Sequence, residues 1–336
     1  MSTYILVDAN NMFHRSKHVS GHDLTIKIGM ALHVTLNAMK AMWKKFEGGH
    51  VVVCLEGSSW RKQVYPRYKA HRRVQEDLRT AKEKEEDQLI FEAFNEFCTF
   101  LKEKTNVTVL QSKGVEADDW IARWIQLHPE DNNVIVSNDS DFIQLLGDNV
   151  TLFNPIEERT ITKDAVLDKK GKKLEFTVTN YGKLKVGKAN ENFVPESNWW
   201  KKALFFKCVR GDAGDGIMSA YPGVRQPRID EAYGDIETRG FLWNKLMLNT
   251  FTDHEGNEVR VLDAYKRNIE LVDLTQQPDD IKGLMDSMIL EAVEQPPRQG
   301  VGIWFLRFCN QMSLVNIGKN PNEYSQMLGT TYKDAR

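Results

Sequence analysis

The sequence is short of net charge, of cysteine and of long apolar runs. Its formal net charge is −2 over 336 residues, so the average charge names no partner and only local asymmetry can. The four cysteines, Cys54, Cys98, Cys208 and Cys309, lie far apart, and none has the C-x-x-C spacing of a zinc or redox site. A reducing compartment fits, with Cys54 a small core residue in an apolar run. No run reaches the roughly 18 apolar residues of a membrane span. The opening MSTYILVDAN lacks the basic start and long apolar segment of a signal peptide. A monomeric cytoplasmic protein that does not engage a membrane is expected. None of the eight histidines falls in the motifs below; His14 and His18 read as polar-loop residues.

What is present can bury a core, with 41% hydrophobic and 27% charged residues. Apolar runs at 4–8, 51–56, 106–111, 133–139 and 150–153 predict five short strands. Between them, Ile28, Leu32, Leu36, Met39 and Trp43 recur at helical spacing. Leu89, Ile90, Phe94, Phe97 and Leu101 mark the inward face of a second helix, and 115–127 a third. Alternating strands and helices predict an α/β fold: a mostly parallel central sheet with helices on both faces. Residues 1–155 are expected to form this core, including a basic segment at about 61–88. Residues 156–196 are charged and weakly periodic, which suggests a hairpin-like insertion or a mobile segment. Residues 197–336 read as a mainly helical region, with a helix-turn-helix at about 200–230. Trp199 and Trp200 read as packing residues.

Acids gather at one edge of that sheet. Ligands of open α/β sheets bind beyond the carboxyl ends of the strands. Asp8 ends the first strand, Glu56 the second and Asp139 the fourth. Glu116, Asp118 and Asp119 open the helix after the third strand, and Asp141 opens the helix after the fourth. The Gly-rich turn RGDAGDGI adds Asp212 and Asp215. One such acid alone is a helix cap or a loop end. Nine together are another matter, because two unit charges about 4 Å apart repel by roughly 4 kcal/mol at an effective dielectric of about 20. Such a cluster calls for a bound cation or for protonation of some members. Oxygen donors without His or Cys favour Mg²⁺ or Mn²⁺ over Zn²⁺. Two Mg²⁺ ions about 3.5–4 Å apart suit phosphodiester cleavage. On this reading Asp8, Glu56, Glu116, Asp118 or Asp119, and Asp139 hold one ion. Asp141, Asp212 and Asp215 hold the other, with Asp139 or Asp119 shared.

Bases gather nearby. From 61 to 84 there are nine Lys/Arg against three acids, interleaved with Trp60, Tyr65 and Tyr68. Bases neutralise phosphates and aromatic faces stack on unpaired bases. Arg61, Lys62, Tyr68, Arg73, Arg79 and Lys82 are the candidate nucleic-acid contacts here. A second set, Lys201, Lys202, Lys207 and Arg210, precedes the GDAGDG turn, where backbone N–H groups can meet phosphates.

Together these motifs resemble the structure-specific 5′-nuclease family of flap endonucleases and 5′-exonucleases. VDAN at 7–10 resembles the family's first-strand aspartate, and WRKQVYPRYKAHR at 60–72 its basic segment. VEADD (115–119), SNDSD (137–141) and GDAGD (211–215) resemble its later acidic motifs, in the same order. The resemblance implies a PIN-like nuclease core, with Lys69 and Arg72 as the catalytic phosphate-contacting pair and Tyr68 as a stacking residue. It implies a basic arch over the site that admits single-stranded 5′ ends, and a helix-turn-helix that grips duplex DNA, with K⁺ in its turn. The segments 268–281 and 290–317 resemble the tail of the T-even phage ribonuclease H branch of the family. That branch implies 5′-3′ exonuclease, flap endonuclease and RNase H activity on 5′-flap DNA and RNA–DNA hybrids, removing RNA primers in phage DNA replication. A single-strand binding protein or a sliding clamp would be its partners. Glu56 departs from the family, which has Asp there.

Three other readings compete. A PIN-type ribonuclease would share the acidic edge, but such domains are much shorter and lack the Lys69 segment and the GDAGD turn. A catalytically inactive DNA-binding scaffold would not need every acidic position filled. A Mg²⁺-dependent phosphatase would need a D-x-D strand end, and VDANN lacks the second acid.

Overall fold

The computed structural model describes residues 1–16 and 23–335; His18, and the side chains of His14 and Arg73, lie outside that description. Strands β1 (Thr3–Asp8), β2 (His50–Cys54), β3 (Thr108–Leu110), β4 (Asn132–Val136) and β5 (Val150–Asn154) pair in parallel in the order β3-β2-β1-β4-β5. All five strands fall where the apolar runs predict them. The order turns back between β1 and β4, which opens a crevice at their carboxyl ends.

The period of two along β1 builds two cores. Ile5 and Val7 face one side, with Val51 and Val53 of β2. Tyr4 and Leu6 face the other, with Val52 and Cys54. Helices α1 (Ala9–Ser16), α2 (Leu24–Lys45), α3 (Arg61–Val64), α4 (Ala70–Asp77), α5 (Ala81–Lys104) and α6 (Ala117–Leu127) make the crossovers. The first face is covered by α2 and α5, and the second by Trp120 and Trp124 of α6. His14 belongs to α1 and not to a loop. Helix α5 starts eight residues before the predicted one, because Thr80 and Glu83 form a reciprocal cap. Leu89 is exposed, a correction to its expected inward place.

Residues 156–196 are part of the sheet. Strands β6 (Arg159–Ile161), β7 (Val166–Leu167), β8 (Lys173–Val178) and β9 (Leu184–Ala189) extend it antiparallel from β5, and β9 is the free edge. Then come α7 (Trp199–Arg210), α8 (Gln226–Gly234), α9 (Phe241–Met247), the hairpin β10 (Thr250–Thr252) with β11 (Glu258–Arg260), and α10 (Val261–Val272). These helices share a third core of Phe205, Phe206, Ile229, Trp243 and Tyr265. Trp199 is buried at the head of α7. Helix α11 (Asp279–Val293) puts Met285 and Ile289 into the second core. Helices α12 (Val301–Gln311), α13 (Val315–Gly318) and α14 (Asn322–Gly329) return to the first core through Phe305, Phe308, Met327 and Leu328. The far end of the chain therefore completes the core of residues 1–155. No helix among the described residues is long and apolar enough to cross a membrane.

Candidate functional site

At the β1–β4 crevice the strand ends deliver their acids. Asp8 is buried; its carboxylate accepts from Ser137 Oγ at 2.9 Å and from the Asn11 N–H at 3.2 Å. Burial pushes its pKa up to about 7, and Glu56 and Asp139 add to the push. Ser137 Oγ also accepts from the Asp139 N–H at 3.1 Å, and Asp139 in turn accepts from the Asp141 N–H at 2.9 Å. One hydroxyl thus ties two strand ends together. Confinement in the crevice and the neighbouring Asp141 push Asp139 up to about 6. Glu56, two residues beyond β2, is held by Asn10, whose side-chain oxygen accepts from its N–H at 2.9 Å. Its carboxylate accepts from the Ala117 N–H at 3.1 Å, and its confinement beside Glu116 raises its pKa.

Behind this row lies a buried charge cluster. Arg61, 1% exposed, grips Asp119 with two bonds of 2.8 and 3.0 Å and reaches Glu116 at 2.9 Å. Trp60 Nε1 donates to Asp119 at 3.1 Å, and Tyr68 OH donates to Glu116 at 3.1 Å. Burial would raise the Glu116 pKa, but Lys69 and Arg61 hold it at about 2. Between Glu116 and Asp119 stands Asp118, whose pKa burial and Asp119 raise against the pull of Arg61. Oxygens of Glu116, Asp118 and Asp119 lie within 4.8 Å of one another, but only Asp118 of the three lines the cleft.

The third wall is the turn after α7. Oxygens of Asp141, Asp212 and Asp215 also lie within 4.8 Å of one another. Lys207, from the last turn of α7, pairs with Asp212 at 2.6 Å and also with Asp141. Burial would raise the Asp212 pKa, but Lys207 lowers it. The basic segment locks onto the turn. The Lys69 N–H donates to the Asp215 carbonyl at 2.8 Å, and Arg72 pairs with the Asp215 carboxylate at 2.8 Å. Lys69 adopts a left-handed backbone, φ 54°, and its ammonium bonds Glu116. Asp8, Glu56, Asp118, Asp139, Asp141, Asp212 and Asp215 thereby line one solvent-open cleft, together with Lys69 and Arg72. The volume of that cleft is about 490 Å³.

Several sequence-predicted contacts fall elsewhere. Arg61 and Tyr68, expected at nucleic acid, are buried, and their polar atoms serve Glu116, Asp119 and Asp215. A guanidinium among two carboxylates and a phenol packed in a core have no face left for a base or a phosphate. Lys207 is likewise buried against Asp141 and Asp212. Arg210 donates to the Val224 carbonyl at 2.7 Å and braces the turn. Lys202 pairs with Glu196 at 2.9 Å, and Arg79 with Asp87. Lys62, Lys82 and Lys201 are exposed. Sequence reasoning missed Ser137, Asn10 and Ser59, which position the acids, the last by donating its hydroxyl to Glu116 at 2.5 Å. Their signal was adjacency: Ser137 stands two residues before Asp139, and Asn10 two after Asp8.

Comparison with known proteins bears on the family and the fold. The family model for the 5′-3′ exonuclease N-terminal resolvase-like domain matches residues 3–171. The chain belongs to the 5′-3′ exonuclease family. Within it, the chain is 26% identical over 217 residues to a 5′-3′ exonuclease of Mycoplasmopsis pulmonis, covering 64% of this chain and 60% of that protein. It is 26% identical over 178 residues to the flap endonuclease Xni of Psychromonas ingrahamii, covering 51% and 63%. The chain thus spans less than two thirds of the length of either relative. The fold is that of the bacteriophage T5 flap endonuclease solved with DNA and metal ions, at TM-score 0.59 and 20% identity over 87% of this chain and 100% of that one. It is also that of the T5 5′-exonuclease with bound zinc, at TM-score 0.59 and 20% identity over 86% and 99%.

Proposed function

We propose that this 5′-3′ exonuclease family member is a divalent-cation-dependent nuclease that hydrolyses phosphodiesters at 5′ ends and 5′ flaps. Its role on this reading is to remove RNA primers and adjoining DNA during phage DNA replication. The observation that carries it is the convergence of seven carboxylates with Lys69 and Arg72 on one solvent-open cleft. The donor set fits a hard cation: it is all oxygen, and burial with neighbouring acids raises the pKa of Asp8 and Asp139, a cost that a bound cation would offset. Asp8, Glu56, Asp118 and Asp139 would hold one ion, and Asp141, Asp212 and Asp215 a second. Mg²⁺ is the ion proposed, with Mn²⁺ as a substitute and K⁺ in the turn after α7. Bound there, two such ions would supply Lewis acidity for an attacking water and for the leaving oxygen.

The chain's own residues do the rest. Glu116 and Asp119 stand behind the cleft, paired with Arg61, and the Asp119 N–H donates to the Asp118 carboxylate at 2.8 Å. Lys69 and Arg72 line the cleft beside their partners Glu116 and Asp215, and would turn to the phosphate as charge builds on it. The segment carrying them is seated on the 212–216 turn, which ties the bases to the second acid group.

A 5′-labelled flap duplex tests the reading, with Mg²⁺ or with EDTA, beside free single strands. Metal-dependent cleavage near the flap junction, lost in Asp139→Asn with flap binding retained, is expected. Binding without cleavage in Mg²⁺ and Mn²⁺ would reduce the chain to a scaffold. Cleavage of free single-stranded RNA alone would point to a PIN-type ribonuclease.

A further inference from the structure

The β8–β9 hairpin carries chemistry that the cleft's acids and Lys69 do not explain. Between 169 and 188 there are seven lysines and one acid, Glu175. The hairpin tip is a tight turn: the Gly182 N–H donates to the Thr179 carbonyl at 2.9 Å, and the Thr179 N–H to the Lys183 carbonyl at 2.7 Å. Gly182 has φ +71°, and a Cβ there would lie 2.3 Å from the Ala203 carbonyl oxygen of α7. The tip is therefore pressed onto the helix that carries Lys207. This contact sets Lys183 at the rim of the cleft, where it lines the same space as Asp139, Asp141 and Asp212.

From the tip the lysines continue along one face. Phe176 pairs with Val186, and Leu174 with Ala189, so β9 carries one extra residue around Gly187. Partners across a ladder share a face, so Val186 and Ala189 lie on the face of Phe176 and Leu174. Without the bulge Lys188 would lie there too. With it, Lys188 joins Lys183 and Lys185 on the outer face. All three are exposed, and none makes an ion pair with another described residue. Glu175, the one acid of the hairpin, accepts from Asn190 at 2.7 Å. Tyr181 stands beside Lys183, 62% exposed.

We propose that the outer face of this hairpin is a second nucleic-acid contact, a track on which Lys183, Lys185 and Lys188 hold successive phosphates of the strand leaving the cleft. The inference rests on the nuclease reading for the identity of the strand. Lysines on a free sheet edge also discourage edge-to-edge pairing. That role does not call for a tip clamped at the cleft rim, for a bulge that aligns the charges, or for an exposed aromatic beside them. A row of cations with an aromatic at its head suits a phosphate backbone and a base.

The test is binding of a 5′-flap duplex with Ca²⁺ replacing Mg²⁺, measured between about 50 and 200 mM salt. The combined Lys183→Ala, Lys185→Ala and Lys188→Ala variant should flatten the plot of log K against log salt by about 2 to 3, roughly 0.9 for each phosphate no longer neutralised. In Mg²⁺ its kcat/KM should fall about tenfold or more, carried mainly by KM. The combined Lys183→Arg, Lys185→Arg and Lys188→Arg variant should keep the wild-type slope and KM. An alanine variant with the wild-type slope and KM would overturn the proposal. The binding slope does not depend on cleavage. A wild-type protein that bound but never cut would sink the nuclease reading alone, and the slope would still decide the hairpin.

Discussion

Arg61 is the residue whose part differs most between sequence and structure. In the sequence it opens a run of bases, and the run as a whole reads as phosphate-binding. In the structure it is the buried counterion of Asp119 and Glu116. The difference is one of direction, since composition counts a charge but does not say which way a side chain points. Truncating one member of a buried pair leaves the other charge without compensation. Arg61→Ala should therefore destabilise the protein by about 3–5 kcal/mol in urea unfolding. Arg61→Met with Asp119→Leu should recover most of that loss, because no lone charge remains. A loss under about 1 kcal/mol for Arg61→Ala would show that water reaches Asp119.

At the scale of elements, the basic segment that carries Lys69 and Arg72 is fixed by its seat on the 212–216 turn. Gly216 has φ +72°, and a Cβ there would sit 2.8 Å from the Arg67 carbonyl oxygen. Gly171 shares the left-handed backbone, φ +78°, but has open space around it. Gly171→Ala should thus show backbone strain alone, about 1 kcal/mol. Gly216→Ala adds the clash and should lift Lys69 and Arg72 off the turn. The expected results are faster proteolysis within 62–84 and a flap-cleavage rate down by about tenfold, as for a catalytic group displaced by about 1 Å or less. Equal behaviour of the two variants would mean that the basic segment is seated elsewhere. The helices of this region were legible only in part. The cap at Thr80 is a local signal, but the seat on the turn joins segments about 145 residues apart.

For the whole molecule, the acids make stability depend on pH and on cations. Asp8 is raised from 3.8 to about 7 and Asp139 from 3.8 to about 6. Between about pH 4 and pH 7 the folded, cation-free protein holds protons that the unfolded chain has released. Its stability therefore falls as pH rises through that window and levels off above it. Added Mg²⁺ competes with those protons, so its gain in Tm should be larger at pH 8 than at pH 5.5. Thermal melts in EDTA and in Mg²⁺ at the two pH values check this; an equal gain at both would mean that these carboxyls are not where the ion binds. Local pattern was enough for the five parallel strands, for the alternation that builds two cores, and for Asp8 at the end of β1, whereas Asp139 stands three residues past β4, at the cap of the next short helix. Those follow from periodicity and from the rule that strand ends meet at one edge. Which charges face the cleft and which face each other was set by packing. It turned Arg61, Tyr68 and Lys207 inward, returned Phe305 and Leu328 to the first core, and carried Lys183 to the cleft rim. Each of these depends on segments far apart in the chain, and no local pattern encodes the direction of a side chain across such an interface.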